Sequence, residues 1–305
     1  MAKKNKPSKL NVEKDISDLA KFIGENDFKS EQELKEFLNQ IVGKRIDEVI
    51  PKKRGRPSKK DKSMELVFEA HGLPPDEGRK LAQKAIDLYP DNVDAYIYLA
   101  EASTDIDLAV DYFQKAIEIA KKLIGEENFK EWEGHFWGVH ETRPFMRAKA
   151  SLAECLEMAE KFDESIKHYK ELLALNPMDN QGIRYQLATI LVEQNKKRDY
   201  LKLYKEFNDD ASAMWRYTYA IFLFRTNGRS AKSEKALREA YNENPFVVQF
   251  LTGEIPPPEM LPMTMGFGDE SEAVHCLNDS GYLWLTTPDA LEWVFDFYVK
   301  QKKLN

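Results

Sequence analysis

The sequence predicts an all-α protein built as a helical solenoid, and three observations predict it. Met146 to Asp179 reads as two amphipathic helices joined by a tight turn at Glu160-Lys161. Leu152, Ala153 and Leu156 fall on the apolar face of the first helix, and Ile166, Tyr169 and Leu173 on that of the second. Helix-ending prolines recur at Pro90, Pro177 and Pro245, and the last two are 68 residues apart, twice the 34-residue length of that hairpin. A small residue behind a bulky one recurs at Leu99-Ala100, Leu152-Ala153, Leu187-Ala188 and Tyr219-Ala220. One helical hairpin cannot bury its own apolar face, so roughly three or more must stack.

Composition agrees with this class. Charged residues make up 32% of the chain beside 42% hydrophobic ones, with a formal net charge of −7, as expected for strongly amphipathic helices. The opening MAKKNKPSKL has no apolar run behind its lysines, and no apolar segment approaches the roughly 20 residues a membrane helix needs. The expectation is therefore a cytoplasmic protein without a membrane setting. Cys155 and Cys276 lack metal-ligand spacing and read as reduced, buried thiols. Residues 1–62 carry 17 Lys+Arg against 11 Asp+Glu, so a basic head precedes an acidic body.

After a basic tail over residues 1–11, residues 12–50 read as a small helical module. Ser30 and Glu33 have capping-box spacing, Leu34, Phe37, Leu38 and Ile41 recur at helical spacing, and Phe22-Ile23 and Ile46 to Ile50 supply apolar neighbours. Residues 51–63, PKKRGRPSKKDKS, hold seven basic residues, two prolines and no apolar side chain, which predicts a disordered linker. Within it Arg54-Gly55-Arg56-Pro57 resembles an AT-hook. That resemblance implies Gly55 approaching the floor of an A·T minor groove, with Arg54 and Arg56 inserted and Lys59 and Lys60 on flanking phosphates. Association with DNA in a nucleus or nucleoid is then one reading. A nuclear-targeting-like segment and a plain charged tether are the others.

Residues 64–245 carry the repeats. Met64 to His71 and Gly78 to Tyr89 form the first hairpin, Asn92 to Ile124 the second, Met146 to Asp179 the third, Asn180 to Phe207 the fourth and Ala211 to Asn244 the fifth. Asp76-Glu77 near a helix start suits the helix dipole, and Thr226-Asn227-Gly228-Arg229 has tight-turn chemistry. The step from Ala100 to Ala153 exceeds one period and locates an insertion at residues 125–143. Trp132, Phe136 and Trp137 there predict an aromatic plug between hairpins, with the exposed rings as a partner contact. His135, His140, Glu133 and Glu141 lack the spacing of a metal site, and none is expected. Residues 246–305 should close the array: a short apolar run, an extended Ile255 to Pro262, a helix opening near Gly268, and a last helix capped by Thr287 that buries Leu291, Val294, Phe295 and Tyr298.

The 34-residue unit resembles a tetratricopeptide repeat: Leu152-Ala153, Tyr169 and Pro177 stand where that pattern wants them, while Lys149 and Ser165 depart from it. The resemblance implies a right-handed superhelix, with a HEAT-like or irregular helical stack as the competing arrangement. It also implies a concave groove of first helices that binds a protein or peptide segment, into which Tyr98, Arg147, Glu154, Tyr185, Gln186 and Tyr217 point. Glu101 and Glu154 stand where some such repeats carry a basic carboxylate clamp, so that clamp is not reproduced. Asn244-Pro245, Pro257-Pro258-Glu259, and Gly268-Asp269 with Ser271-Glu272-Ala273 resemble the tail of the suppression-of-tumorigenicity 7 family over about residues 142–294. That family implies a scaffold-like role. No nucleophile elbow, phosphate loop or His-Glu-x-x-His motif is present, so the expectation is a non-catalytic adaptor without a cofactor.

Overall fold

The computed structural model describes residues 19, 22–23, 28, 30–44 and 57–303. Among them the chain is all-helical, with no strand. It divides into two compact units, Met1–Ala159 and Glu160–Asn305. The boundary falls in the Glu160-Lys161 turn, so the two helices expected to pair as the third hairpin belong to different units.

In the first unit, α1 spans Glu31–Ile41 and is capped by Ser30, whose hydroxyl accepts from the Glu33 amide at 3.2 Å. Phe37 of this helix meets Phe22 and Phe28 at 5.6 and 5.4 Å between ring centres, which supplies the small module with its apolar cluster. Helix α2, Lys59–Ala70, begins inside the stretch whose composition reads as linker. Ser58 and Asp61 exchange backbone and side-chain hydrogen bonds at 3.0 and 3.1 Å as a capping box. That cap starts a helix on lysines that composition alone assigns to disorder. The Arg54, Gly55 and Arg56 positions lie outside the described residues.

Two hairpins follow: α2 packs on α3 (Pro75–Leu88), and α4 (Val93–Glu101) on α5 (Ile106–Ile124). Pro75 in the first turn, the side-chain caps of Asn92 and Asp105, and Gly125 at φ +81° explain the helix ends. Helix α4 also touches α2 and α7 (Arg143–Met158). The closest joint is at Gly78. A β-carbon there would sit 1.7 Å from the Tyr98 hydroxyl and 2.8 Å from the Ala70 carbonyl, the very oxygen that the Tyr98 hydroxyl donates to at 3.1 Å. Gly78→Ala is expected to cost about 1–3 kcal/mol, outweighing the roughly 1 kcal/mol that alanine gains in a helix. An unchanged urea midpoint would contradict this close approach.

The insertion folds back on its own unit. Short α6, Glu126–Glu131, and two 3-10 turns, Phe136–Gly138 and His140–Thr142, carry the chain to α7. Phe129, Phe136 and Phe145 form a mutually edge-on triad with centres 4.7, 5.4 and 5.9 Å apart. Phe136 is fully buried. The expected plug is therefore present at Phe136, and that ring is removed from any partner surface.

The second unit contains α8 (Phe162–Leu175), α9 (Ile183–Glu193), α10 (Lys197–Glu206), α11 (Ala213–Asn227) and α12 (Ala231–Glu243), closed by short α13 (Phe246–Leu251), α14 (Glu270–Leu285) and α15 (Ala290–Lys302). Asn176 and Asn244 end α8 and α12 just before Pro177 and Pro245, as the prolines predict. Tyr204 is stacked between Trp215 and Tyr219, at 5.8 and 3.9 Å, which joins α10 to α11. Helix α15 starts later than expected. The Thr287 hydroxyl donates to the Leu283 carbonyl of the preceding helix rather than capping, and Asp289 in a left-handed conformation opens α15. Its buried face is accordingly Trp293, Val294, Phe297 and Tyr298, while Leu291 and Phe295 are exposed. Both cysteines are buried free thiols, and burial pushes the Cys276 thiol up to about 12. In the native protein at neutral pH Cys276 should stay unmodified by a thiol-specific disulfide reagent and react only after denaturation. Rapid native labelling, located by peptide mass, would contradict the placement.

Candidate protein-binding faces

In the first unit the neighbouring first helices bring together His71, which caps α2, Asp94 and Glu101 of α4, and Arg147 and Glu154 of α7. Arg147 donates to Asp94 at 2.6 Å, with both side chains mostly shielded from solvent. Glu101 and Glu154 are exposed. Crowding that strips water from Glu101 raises its carboxyl above the ordinary value, Arg147 opposes this, and Asp94 and Glu154 add like charge. Desolvation likewise lowers His71, with Asp94 opposing and Arg147 reinforcing. Around one arginine the face thus gathers three carboxylates. Tyr98 does not join it: it is buried, its hydroxyl is spent on Ala70 and its ring meets His71 edge-on at 4.9 Å. The expectation that Tyr98 points into an open groove is corrected by the close packing of α2, α3 and α4.

In the second unit the corresponding face belongs to α9 and α11. Tyr185 is half-buried and its hydroxyl donates to Asp210 at 2.9 Å. Gln186 is also half-buried, and its side-chain carbonyl oxygen has no hydrogen-bond partner among the described residues. Tyr217 is fully buried and donates to the Asn244 carbonyl at 2.7 Å. It packs as interior rather than lining a groove, because α14 lies against α11 and covers its ring with Trp284, 6.1 Å away.

Beside Tyr185 lies a network that the sequence did not announce. Arg184 donates to Asp179 at 2.8 Å, to Asp210 at 2.7 Å and to the Tyr185 hydroxyl at 2.6 Å, while its guanidinium lies over the Tyr185 ring at 4.2 Å. Asp179 also accepts the Ile183 and Arg184 amides at 2.7 and 3.1 Å. Burial raises the Asp179 carboxyl in spite of these bonds. For Asp210 burial acts in the same direction, but hydrogen bonds from Ser212, Arg184 and Tyr185 outweigh it and hold the carboxyl low. Isolated letters such as Asp179 and Asp210 carry no spacing signal. Only the meeting of two interhelical turns makes them a set.

Of the remaining expected contacts, Trp132 and Trp137 are partly exposed. Trp137 lies under Arg143 at 5.3 Å, and the Arg143 side chain donates to its carbonyl at 3.1 Å. Pro57, Lys59 and Lys60 are exposed, the two lysines on the first turn of α2. No group of three His, Cys, Asp or Glu able to hold a metal ion occurs among the described residues. No described helix is long and apolar enough to cross a membrane. No family model and no curated protein matches the chain.

Proposed function

We propose that this chain is a non-catalytic scaffold or adaptor of tetratricopeptide-repeat type, binding an extended or helical segment of a partner protein along the face made by its first helices. The observation that carries the reading is the adjacency of α2, α4 and α7 in one unit and of α9 and α11 in the other. Adjacent first helices make a continuous surface instead of an enclosed pocket, which suits a polypeptide better than a small substrate. Arg147, Glu154, Tyr185 and Gln186 remain candidates for that surface, joined by Asp94 and Glu101. The unpaired Gln186 carbonyl is an acceptor suited to a backbone or side-chain donor. The carboxylates Glu101 and Glu154 favour a segment bearing Lys or Arg.

The test compares proteins retained from a lysate by the parent chain and by Glu101→Lys/Glu154→Lys. Both substituted side chains are exposed, so the fold should persist while the local charge reverses. Loss of a retained protein at moderate salt supports the reading; identical profiles remove the first-helix face as the binding surface.

A second reading, a DNA-associated adaptor working through Arg54-Gly55-Arg56-Pro57, is favoured by exposed Lys59 and Lys60 directly after that motif. Being helical, these two would serve as phosphate contacts. Gly55→Val should weaken binding to A·T-rich duplex at constant net charge. Equal binding of A·T-rich and G·C-rich duplexes, unaffected by that substitution, would leave the segment a charged tether.

A further inference from the structure

Between α13 and α14 the chain runs as a strap without regular structure, and its apolar side chains face outward. Met260, Met263, Met265 and Phe267 are all exposed, Phe267 at 80%. Yet the backbone is held. The Gly266 amide donates to the Ser271 hydroxyl at 3.0 Å, the Gly268 amide to Glu272 at 2.8 Å, and His275 Nε2 lies 3.1 Å from the Pro262 carbonyl. Phe267 borders a cleft of ≈ 600 Å³ that is also lined by Met178, itself 81% exposed, and by Phe207. Scattered exposed apolar residues are ordinary, but a run of them on a pinned backbone beside a cleft marks an interaction surface.

Charge chooses the occupant. Asp209, Asp210, Glu243 and Glu272 line the cleft against the single cation Arg184, and Arg184 is already engaged by Asp179 and Asp210. Asp209 and Glu243 are exposed. Prolines at 256, 257, 258 and 262 remove four amide donors from the first half of the strap, which disfavours strand addition there and leaves side chains as the means of recognition. Methionine adapts its shape to an apolar helix face at low cost.

We propose that the methionine strap and the acidic cleft beside it form a docking surface for a basic amphipathic helix of a partner protein. Its apolar face lies on Met260, Met263, Met265 and Phe267, and its Lys or Arg side chains reach Asp209 and Glu243. This surface adjoins the α9–α11 face at Arg184 and Asp210, but its docking role rests on the strap and the cleft and not on the first-helix reading.

The experiment uses the full chain and a labelled synthetic Leu/Lys amphipathic helix of about 18 residues, with a Leu/Glu helix of the same pattern as the opposite-charge arm. The Leu/Lys helix should bind and should slow amide exchange within residues 256–268. Met263→Ser/Phe267→Ser should weaken it by about tenfold or more. Asp209→Asn/Glu243→Gln should weaken it by about three- to tenfold and flatten its salt dependence. Glu101→Lys/Glu154→Lys should leave it unchanged. Equal binding of the Leu/Glu helix, protection confined to other segments, or loss of binding only in the Glu101/Glu154 variant would overturn the proposal. So would strap-dependent self-association of the protein alone in sedimentation, which would make a second copy the occupant. Exchange protection in the parent chain decides the case even if a variant folds poorly.

Discussion

Arg184→Ala is expected to destabilise the second unit by about 3–5 kcal/mol, the usual cost of stripping one partner from a buried ion pair. The Asp179 side chain is wholly shielded from solvent and the Asp210 side chain nearly so. Both lose their cation together, and the Tyr185 hydroxyl loses a donor. The sign of the pH dependence follows from the two carboxyls. Burial already lifts Asp179 above its ordinary value, and removing Arg184 lifts it further, so the variant pays most where Asp179 must ionise. Asp210 is held low, so its stabilising contribution is present above the unfolded carboxylate range and is lost as pH falls through its folded value. Both effects shrink the difference between parent and variant on acidification. Urea unfolding at neutral pH and near pH 4 should show the gap narrowing. A gap that widened toward acid would contradict the assignment. Arg184→Lys should recover only part of the loss, because an ammonium cannot serve two carboxylates and the tyrosine in one plane.

Glu272→Ala should also cost about 3–5 kcal/mol and should in addition release the strap. Glu272 is only 4% exposed. It accepts from the Ala213 amide at 2.9 Å, the Asn244 side-chain amide at 2.9 Å and the Gly268 amide at 2.8 Å. One carboxylate thus ties the start of α11, the end of α12 and the end of the strap to α14. Alanine would leave the Ala213 and Gly268 amides without an acceptor and the Asn244 side-chain amide with the Asp269 carbonyl alone. Amide exchange should accelerate in residues 266–268 and at the first turn of α11, while α2 to α5 stay protected. Uniform acceleration across the chain would mean that Glu272 acts through global stability alone. Glu272→Gln should cost less, since one oxygen still accepts, although its amide then faces a donor.

The helices were largely legible in the sequence because their causes are local. Apolar residues at helical spacing, proline after Asn176 and Asn244, and the Asn-Gly turn after α11 act within a few residues of where they stand. Leu152, Leu156, Ile166, Tyr169 and Leu173 are buried as periodicity requires, and the aromatic insertion has its plug at Phe136. Locality also explains two misplacements. The basic composition of residues 51–63 conceals the Ser58 and Asp61 cap that starts α2 at Lys59, and Thr287 resembles a cap until its hydroxyl is taken by the turn before it.

What only the tertiary structure decided is which polar and aromatic side chains reach solvent. Tyr98 and Tyr217 carry no local signal that separates them from half-buried Tyr185. Gly78 admits the first ring so closely that its hydroxyl reaches Ala70, and α14 covers the second. The Arg184 network and the Glu272 junction join residues up to 26 and 59 positions apart. No periodicity encodes such pairs, because they arise from the meeting of separate turns and helices rather than from the course of any one of them. The sequence by itself determined an all-helical chain and the local course of most of its helices; packing determined its exposed faces, and with them the surfaces on which function can be sought.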